Sequence, residues 1–569
     1  MNAQYLTFRK FGTRIAIALC FLIILNACEG GEATKQSGNS TAYLGKKHKS
    51  SDTKDMADRG VPTSALESET KAEKKVMDAA NTEAAPPDNP SPNTDTTHIA
   101  PEKAPEIIEN QFLTVKSEPL STFSIDVDNA SYTLARKAIN RGRLPYASGV
   151  RIEEFVNYFQ YKYPQPTGKH PFSVNTEVAK CPWNSKNHLV HIGLQGKQLD
   201  NRKLKPSNLV FLIDVSGSME DPDKLPLLKK SFKILVQNLR EEDRVAIVVY
   251  AGNAGLVLPS TSGGNKRKIM EALDRLNAGG STAGGEGIHL AYKIAKENLI
   301  KDGNNRIILA TDGDFNVGES SDEAMQSLIE EKRKEGIFIT VLGLGMGNYR
   351  DSKMEIIADK GNGNYYYIDN LNEANKVFGK DLKGTLFTIA KDVKIQVEFN
   401  PMLVKSYRLI GYENRLLANQ DFRDDTKDAG EIGAGHTVTA LYEVELYSSP
   451  KSVAINRSKI PNDFKASRFS GEQIMAVWLR YKKPAGNTGI ETTHFIQANN
   501  QSIDKTSENY RFSASVASFA MLLRNSQYKG NATFESVMKL AKSAKGSYVN
   551  GYRAEFIDLI NKASKLKVQ

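Results

Sequence analysis

Cysteine is scarce in this chain: Cys20, Cys28 and Cys181 are the three in 569 residues. Cys20 falls inside an N-terminal apolar run with the marks of an export leader. The mature chain would keep two, so no intramolecular disulfide is possible beyond a pairing of Cys28 with Cys181. Long apolar stretches are missing as well. The N-terminal run, Ile15 to Leu25, falls short of the ~20 residues that span a bilayer. Zinc-finger spacings and aromatic RNA-binding signatures are absent, and the lysines are scattered through a linker and helix faces. A formal charge of +10 is therefore solvated surface charge, and nucleic acid is not an expected partner. Between residues 29 and 110, Tyr43 is the sole aromatic. That segment, rich in Ser, Thr, Lys, Glu, Ala, Asn and Pro, cannot bury enough apolar area to offset backbone ordering and is expected to be disordered.

What is present divides the chain. Its length exceeds one compact core, while 25% charged and 40% hydrophobic residues are ordinary for soluble globular protein. Arg9, Lys10 and Arg14 ahead of the apolar run make a secretory leader over residues 1–27. It ends in Leu25-Asn26-Ala27-Cys28, which resembles a lipobox. That resemblance implies cleavage before Cys28, acylation of Cys28, and an exported protein lipid-anchored to a membrane of the cell envelope, periplasmic or surface-facing. Residues 28–110 would then form a tether of roughly 80 residues with an r.m.s. reach on the order of 50 Å.

Folded sequence begins near Phe112. An α+β segment (111–206) shows a strand over Thr122 to Val127, helices over Ala130 to Arg141 and Ile152 to Phe159, and two strands between Phe172 and Leu194. Asp128 or Asn129 is expected to cap the first helix. His188 and His191, three apart on a strand, point to opposite faces and are poor co-ligands. Cys181-Pro182-Trp183-Asn184 is a turn with an inert, partly buried thiol. From 207 to 382 strands and helices alternate in the manner of a doubly wound, mostly parallel α/β sheet. From 383 to 510 the pattern becomes antiparallel strands, a β-sandwich-like region that the Phe172 to Leu194 strands could complete. Within it Asp421, Asp424, Asp425, Asp428 and Glu431 crowd one solvated loop whose spacing does not match a calcium-binding hand. Residues 511–569 form amphipathic helices.

The chemistry concentrates at Asn208 to Met219, NLVFLIDVSGSM. A short unbroken apolar run has the character of a strand buried on both faces, and it delivers Asp214 to the C-terminal edge of the sheet, where ligand sites of open α/β sheets lie. Ser216 and Ser218 follow in a tight loop and can aim their oxygens at one point with Asp214. A hard cation such as Mg²⁺ wants such ligands. Two later segments add to the set: GGSTAGGEGI with the Thr282 hydroxyl, and IILATDGD, a second apolar strand ending in Asp312.

These motifs resemble the metal-ion-dependent adhesion site of von Willebrand factor type A domains. The resemblance implies Asp214, Ser216 and Ser218 as first-loop ligands, Thr282 as second-loop ligand, and Asp312 reaching the metal mostly through water, with Mg²⁺ (or Mn²⁺ or Ca²⁺) as cofactor. GGSTAGG, ILATDGDFNVG and KDVKIQVEFNP further resemble YfbK-type bacterial lipoproteins carrying such a domain, from about Phe112 to the C-terminus.

The leading expectation is a protein-binding module of the envelope, its metal completed by an acidic residue of a partner protein. A metal-dependent hydrolase at the same site would need a base, for which Glu286 and His289 are the nearby candidates. An envelope scaffold linked to an ATPase follows only by analogy. Replacing Asp312, at an exposed strand end, by alanine is expected to abolish metal-dependent partner capture while leaving the fold intact, because it removes a ligand and also relieves carboxylate repulsion.

Overall fold

The computed structural model describes residues 107–200, 204–280, 284–313, 322–345, 351–427, 429–452, 458, 460, 467–546 and 551–567. The leader, Cys28, all but the last few residues of the tether, Thr282 and Asp428 lie outside the described residues.

Four strands and two helices come first: β1 (Leu113–Thr114), β2 (Leu120–Ser124), α1 (Ala130–Asn140), α2 (Ile152–Tyr158), β3 (Phe172–Cys181) and β4 (Asn184–Gly196). The α/β unit follows, with β5 (Ser207–Asp214), α3 (Leu225–Asn238), β6 (Arg244–Tyr250), β7 (Ala254–Ser262), α4 (Lys266–Asp274), α5 (Gly284–Glu297) and β8 (Asn304–Thr311). It continues through α6 (Asp322–Lys334), β9 (Ile337–Gly343), α7 (Asp351–Lys360), β10 (Tyr365–Tyr367), α8 (Leu371–Asn375) and α9 (Leu382–Leu386). Six more strands, β11 (Thr388–Phe399), β12 (Val404–Ile410), β13 (Gly430–Gly433), β14 (Thr437–Leu446), β15 (Gln473–Lys482) and β16 (Ile490–Gln497), precede α10 (Glu508–Arg524), α11 (Phe534–Ser543) and α12 (Tyr552–Leu566).

The central sheet runs β10-β9-β8-β5-β6-β7 and is parallel except for the antiparallel edge strand β7. Every residue of β5 is buried, and the two-residue period explains why. Leu209, Phe211 and Ile213 pack with Leu228, Phe232 and Leu235 of α3 on one face. Val210 and Leu212 pack with Ile288, Ala291 and Ala295 of α5 on the other. A strand covered on both sides needs an unbroken apolar run, which is what this one has. β6 pairs on one flank of β5 and β8 on the other, so the strand order reverses there, the place where open α/β sheets hold their ligands.

Two antiparallel sheets flank this unit in the chain. One runs β1-β12-β14-β4-β3; the other runs β13-β11-β15-β16, with β2 also pairing β11. Their facing side chains form one core, including Phe123, Val190, Ile192, Val397, Tyr407, Tyr442 and Val477. β3 and β4 come before the α/β unit and the strands they join come after it, so the α/β unit is an insertion in the sandwich. The outer face of the first sheet carries a helical layer, in which Leu189 and Leu441 meet Phe155, Phe512, Phe519 and Phe556. The fold class observed, a doubly wound mostly parallel sheet with a sandwich and C-terminal helices, is the one the sequence pattern indicates.

Particular expectations change. α10 is not amphipathic: it is buried almost throughout, with Ser513, Ser515 and Ser518 bonding back to the carbonyls of Tyr510, Phe512 and Ala514 at 2.9, 2.7 and 2.8 Å. Small Ala and Ser residues let neighbouring elements approach on all sides, and the back-bonds satisfy the hydroxyls. Neither Asp128 nor Asn129 caps α1 with its side chain. Asp128 instead accepts the Tyr365 amide at 3.0 Å and pairs with Arg415 at 3.0 Å, tying the sandwich to β10. The acidic loop is not simply solvated, because Asp425 pairs with Arg480 at 2.9 Å and the carbonyls of Asp421 and Asp424 receive Lys394 at 3.0 and 2.5 Å. His188 and His191 do separate: His188 meets Asn500 at 2.6 Å, while His191 lies buried between Tyr163 and Ser513 at 2.7 and 2.9 Å. Burial holds His191 neutral, its pKa pushed down to about 3. Cys181 is buried, and burial pushes its thiol well above the usual range, so it is inert.

Candidate metal centre

Asp214 is the last residue of β5 and lies beside Tyr250, the last of β6. Its carboxylate is fully buried. One oxygen, Oδ1, accepts the Ser216 amide at 2.9 Å, and the Thr311 hydroxyl lies 3.5 Å from Oδ2. Burial pushes the Asp214 pKa up to about 6, the nearby Asp312 adds to the rise, and hydrogen bonds from Ser216 and Tyr250 oppose it.

The chain then folds into a 3₁₀ turn over Gly217–Glu220, which brings the hydroxyls of Ser216 and Ser218 to 3.1 Å from each other. A second loop is stapled to this turn: Gly279 donates to the Val215 carbonyl at 2.7 Å, and Gly217 donates to the Gly280 carbonyl at 3.0 Å. Gly280 stands two positions before Thr282 in the sequence. Asp312 follows β8 directly and is buried, 7% exposed, rather than lying at an open strand end. Its Oδ2 receives the Lys224 ammonium at 3.0 Å, and the same ammonium donates to the Ser218 carbonyl at 2.8 Å. The expectation of an exposed strand end that can be removed without harm to the fold is therefore corrected, because the carboxylate is buried and holds a buried cation.

The structure thus brings Asp214, Ser216, Ser218 and Asp312 together at the strand-order reversal. Two carboxylates and two hydroxyls, all oxygen, are the donor set of a hard divalent cation, and the Asp214 carboxylate is fully buried among hydrogen-bond donors. These residues fit Mg²⁺.

Lys224 was not legible as a site residue, yet a signal existed. It occupies the position ahead of α3, whose first turn contains Pro226. A cation there opposes the helix dipole, so a lysine at that end calls for an anionic partner. A second lysine braces it: Lys137 of α1 donates to Asp223 Oδ2 at 2.9 Å, to the Gly345 carbonyl at 2.6 Å and to the Tyr367 hydroxyl at 2.8 Å. Glu286 and His289, the candidate bases for hydrolysis, are both exposed on α5.

Comparison with known proteins gives matches along the folded chain. Residues 208–380 match the von Willebrand factor type A domain model, 384–566 the model described as "Uncharacterized protein YfbK, C-terminal", and 99–191 a "von Willebrand factor" model. The sequence is 43% identical over 464 residues to the protein YfbK of Escherichia coli (strain K12), covering 80% of each chain. It is 30% identical over 154 residues to human inter-alpha-trypsin inhibitor heavy chain H2, covering 26% of this chain and 16% of that one. A solved von Willebrand factor type A structure from Catenulispora acidiphila aligns over 68% of this chain and 89% of its own, with 16% identity and a TM-score of 0.37.

Proposed function

Because the chain belongs to the YfbK family of proteins with a von Willebrand factor type A domain, we propose that it is a metal-dependent protein-interaction module of the cell envelope. The observation that carries this reading is the convergence of Asp214, Ser216, Ser218 and Asp312 at the strand-order reversal of the central sheet. Asp214 and the two serine hydroxyls would hold the cation directly, with Thr282 from the second loop, and Asp312 would act through water. When bound, a divalent cation supplies an open coordination position for a carboxylate of a partner protein. In this role the residues around it hold and orient that cation for binding. The leader and Cys28 support export and lipid anchoring, with the tether setting the reach.

Calorimetry of the full chain with Mg²⁺ and Mn²⁺, compared with Asp214→Ala, tests the site. One divalent ion bound by the wild type and lost in the variant is expected, and equal binding by both overturns the assignment. Capture of partner proteins in Mg²⁺ but not in EDTA tests the role.

A further inference from the structure

Lys224 is a cation in direct contact with a carboxylate of the centre. Its side chain is 9% exposed and lies 3.0 Å from Asp312, whose side chain is 6% exposed. Asp221 also lies near it, at 3.5 Å, but is 66% exposed and so screened by solvent. Asp223, next in sequence, is taken up by Lys137 and Arg141 at 2.9 and 3.3 Å.

The lysine is built in. Its stem runs over Gly345, which has a φ of +74°, and a Cβ there would stand 2.4 Å from Lys224 Cε. The brace from Lys137 holds both walls of this channel, Asp223 and the Gly345 carbonyl. Lysine stems ordinarily keep their ammonium in water. Here the ammonium is turned inward and bonded to a carbonyl and a carboxylate.

Resting on the metal-site reading above, we propose that Lys224 sets the charge of the centre, weakening its hold on the metal and strengthening its hold on an acidic partner. Lys224 places one positive charge beside the carboxylates of the centre. That charge opposes an arriving divalent cation and, once the cation is bound, favours a partner carboxylate. Without the lysine the same centre would be more negative by one charge, attract the metal more strongly, and hold an anion more weakly once loaded. In a site shielded from water such a difference is not screened away. The residue thus trades cation affinity for anion affinity, a specificity role exerted from beside the ligands.

The test is Lys224→Met in the full chain, with Lys224→Gln, which keeps a donor for the Ser218 carbonyl, as the second variant should Met not fold. Mg²⁺ binding is measured by calorimetry, and acetate binding to the Mn²⁺-loaded protein by the fall in water-proton relaxation as bound water is displaced. The neutral variants should bind Mg²⁺ about tenfold or more tightly, and acetate several-fold more weakly. Opposite signs are the signature, because a purely structural lysine would weaken both on removal. Wild type that binds Mg²⁺, with variants that bind it no better or lose no acetate affinity, overturns the role of Lys224 alone. Wild type that takes up no Mg²⁺ overturns the metal site, and this inference with it.

Discussion

A buried charge is stable only while its partner stays, and two residues here make that measurable. Asp312 and Lys224 are almost wholly shielded. Replacing Asp312 by Asn should destabilise the metal-free protein by about 3 kcal/mol, since it strands an ammonium; urea unfolding in EDTA measures it. Glu153 is the opposite case. Burial, then the charges of Glu413 and Glu154, raise its pKa from 4.5 to about 7. A carboxyl that holds its proton more tightly when folded contributes stability that is present below about 4.5 and is lost as pH rises through about 7. Glu153→Gln should therefore leave the melting temperature near pH 5 almost unchanged and raise it by a few degrees near pH 8. An equal effect at both pH values would show that the ionised form carries no penalty. Neither Lys224 nor Glu153 was legible beforehand, because both depend on partners far away in sequence. Asp214, Ser216 and Ser218 stand together after an apolar run, and that contiguity made them visible.

At the level of elements, the α/β unit was readable because each parallel strand carries its burial in its own sequence. Leu212 and Ile308 are 0% and 1% exposed on adjacent strands. Truncating either to alanine should cost about 2–5 kcal/mol, seen as a lower urea midpoint with an unchanged slope. The pairing of the sandwich was harder to read. β4 meets β14 in a register of Gln195 with Thr437 through His188 with Val444, across the whole inserted unit. Alternation shows that a strand exists and which residues share a face, but it carries no address for a partner so distant. α10 is not the amphipathic helix expected for a related reason: its serine hydroxyls are consumed by the helix itself.

Across the whole molecule, two arginines fasten the parts together. Arg136 of α1, fully buried, reaches Asp369 at 2.5 Å and Glu373 at 2.8 Å in the α/β unit, and Glu555 of α12 at 3.4 Å. Arg415 collects Asp126, Asp128, Glu355 and Asp359 at 3.0, 3.0, 2.8 and 2.7 Å. Removing a shared cation takes the countercharge from several carboxylates at once. Arg136→Met should cost about 3–5 kcal/mol, and hydrogen exchange should show α12 and the Asp369–Glu373 turn losing protection together. Loss confined to one of them would mean the arginine does not join the two.

The insertion gives the molecule a load path. The chain enters the α/β unit from β4 in one sheet and leaves it, one residue after α9, into β11 of the other. A pull exerted by a partner on this unit is thus divided between two legs, each seated in its own sheet, whose side chains interlock in a common core. Tension arriving there is shared by two backbone legs, each continuous with a strand that is hydrogen-bonded along its length to its neighbours.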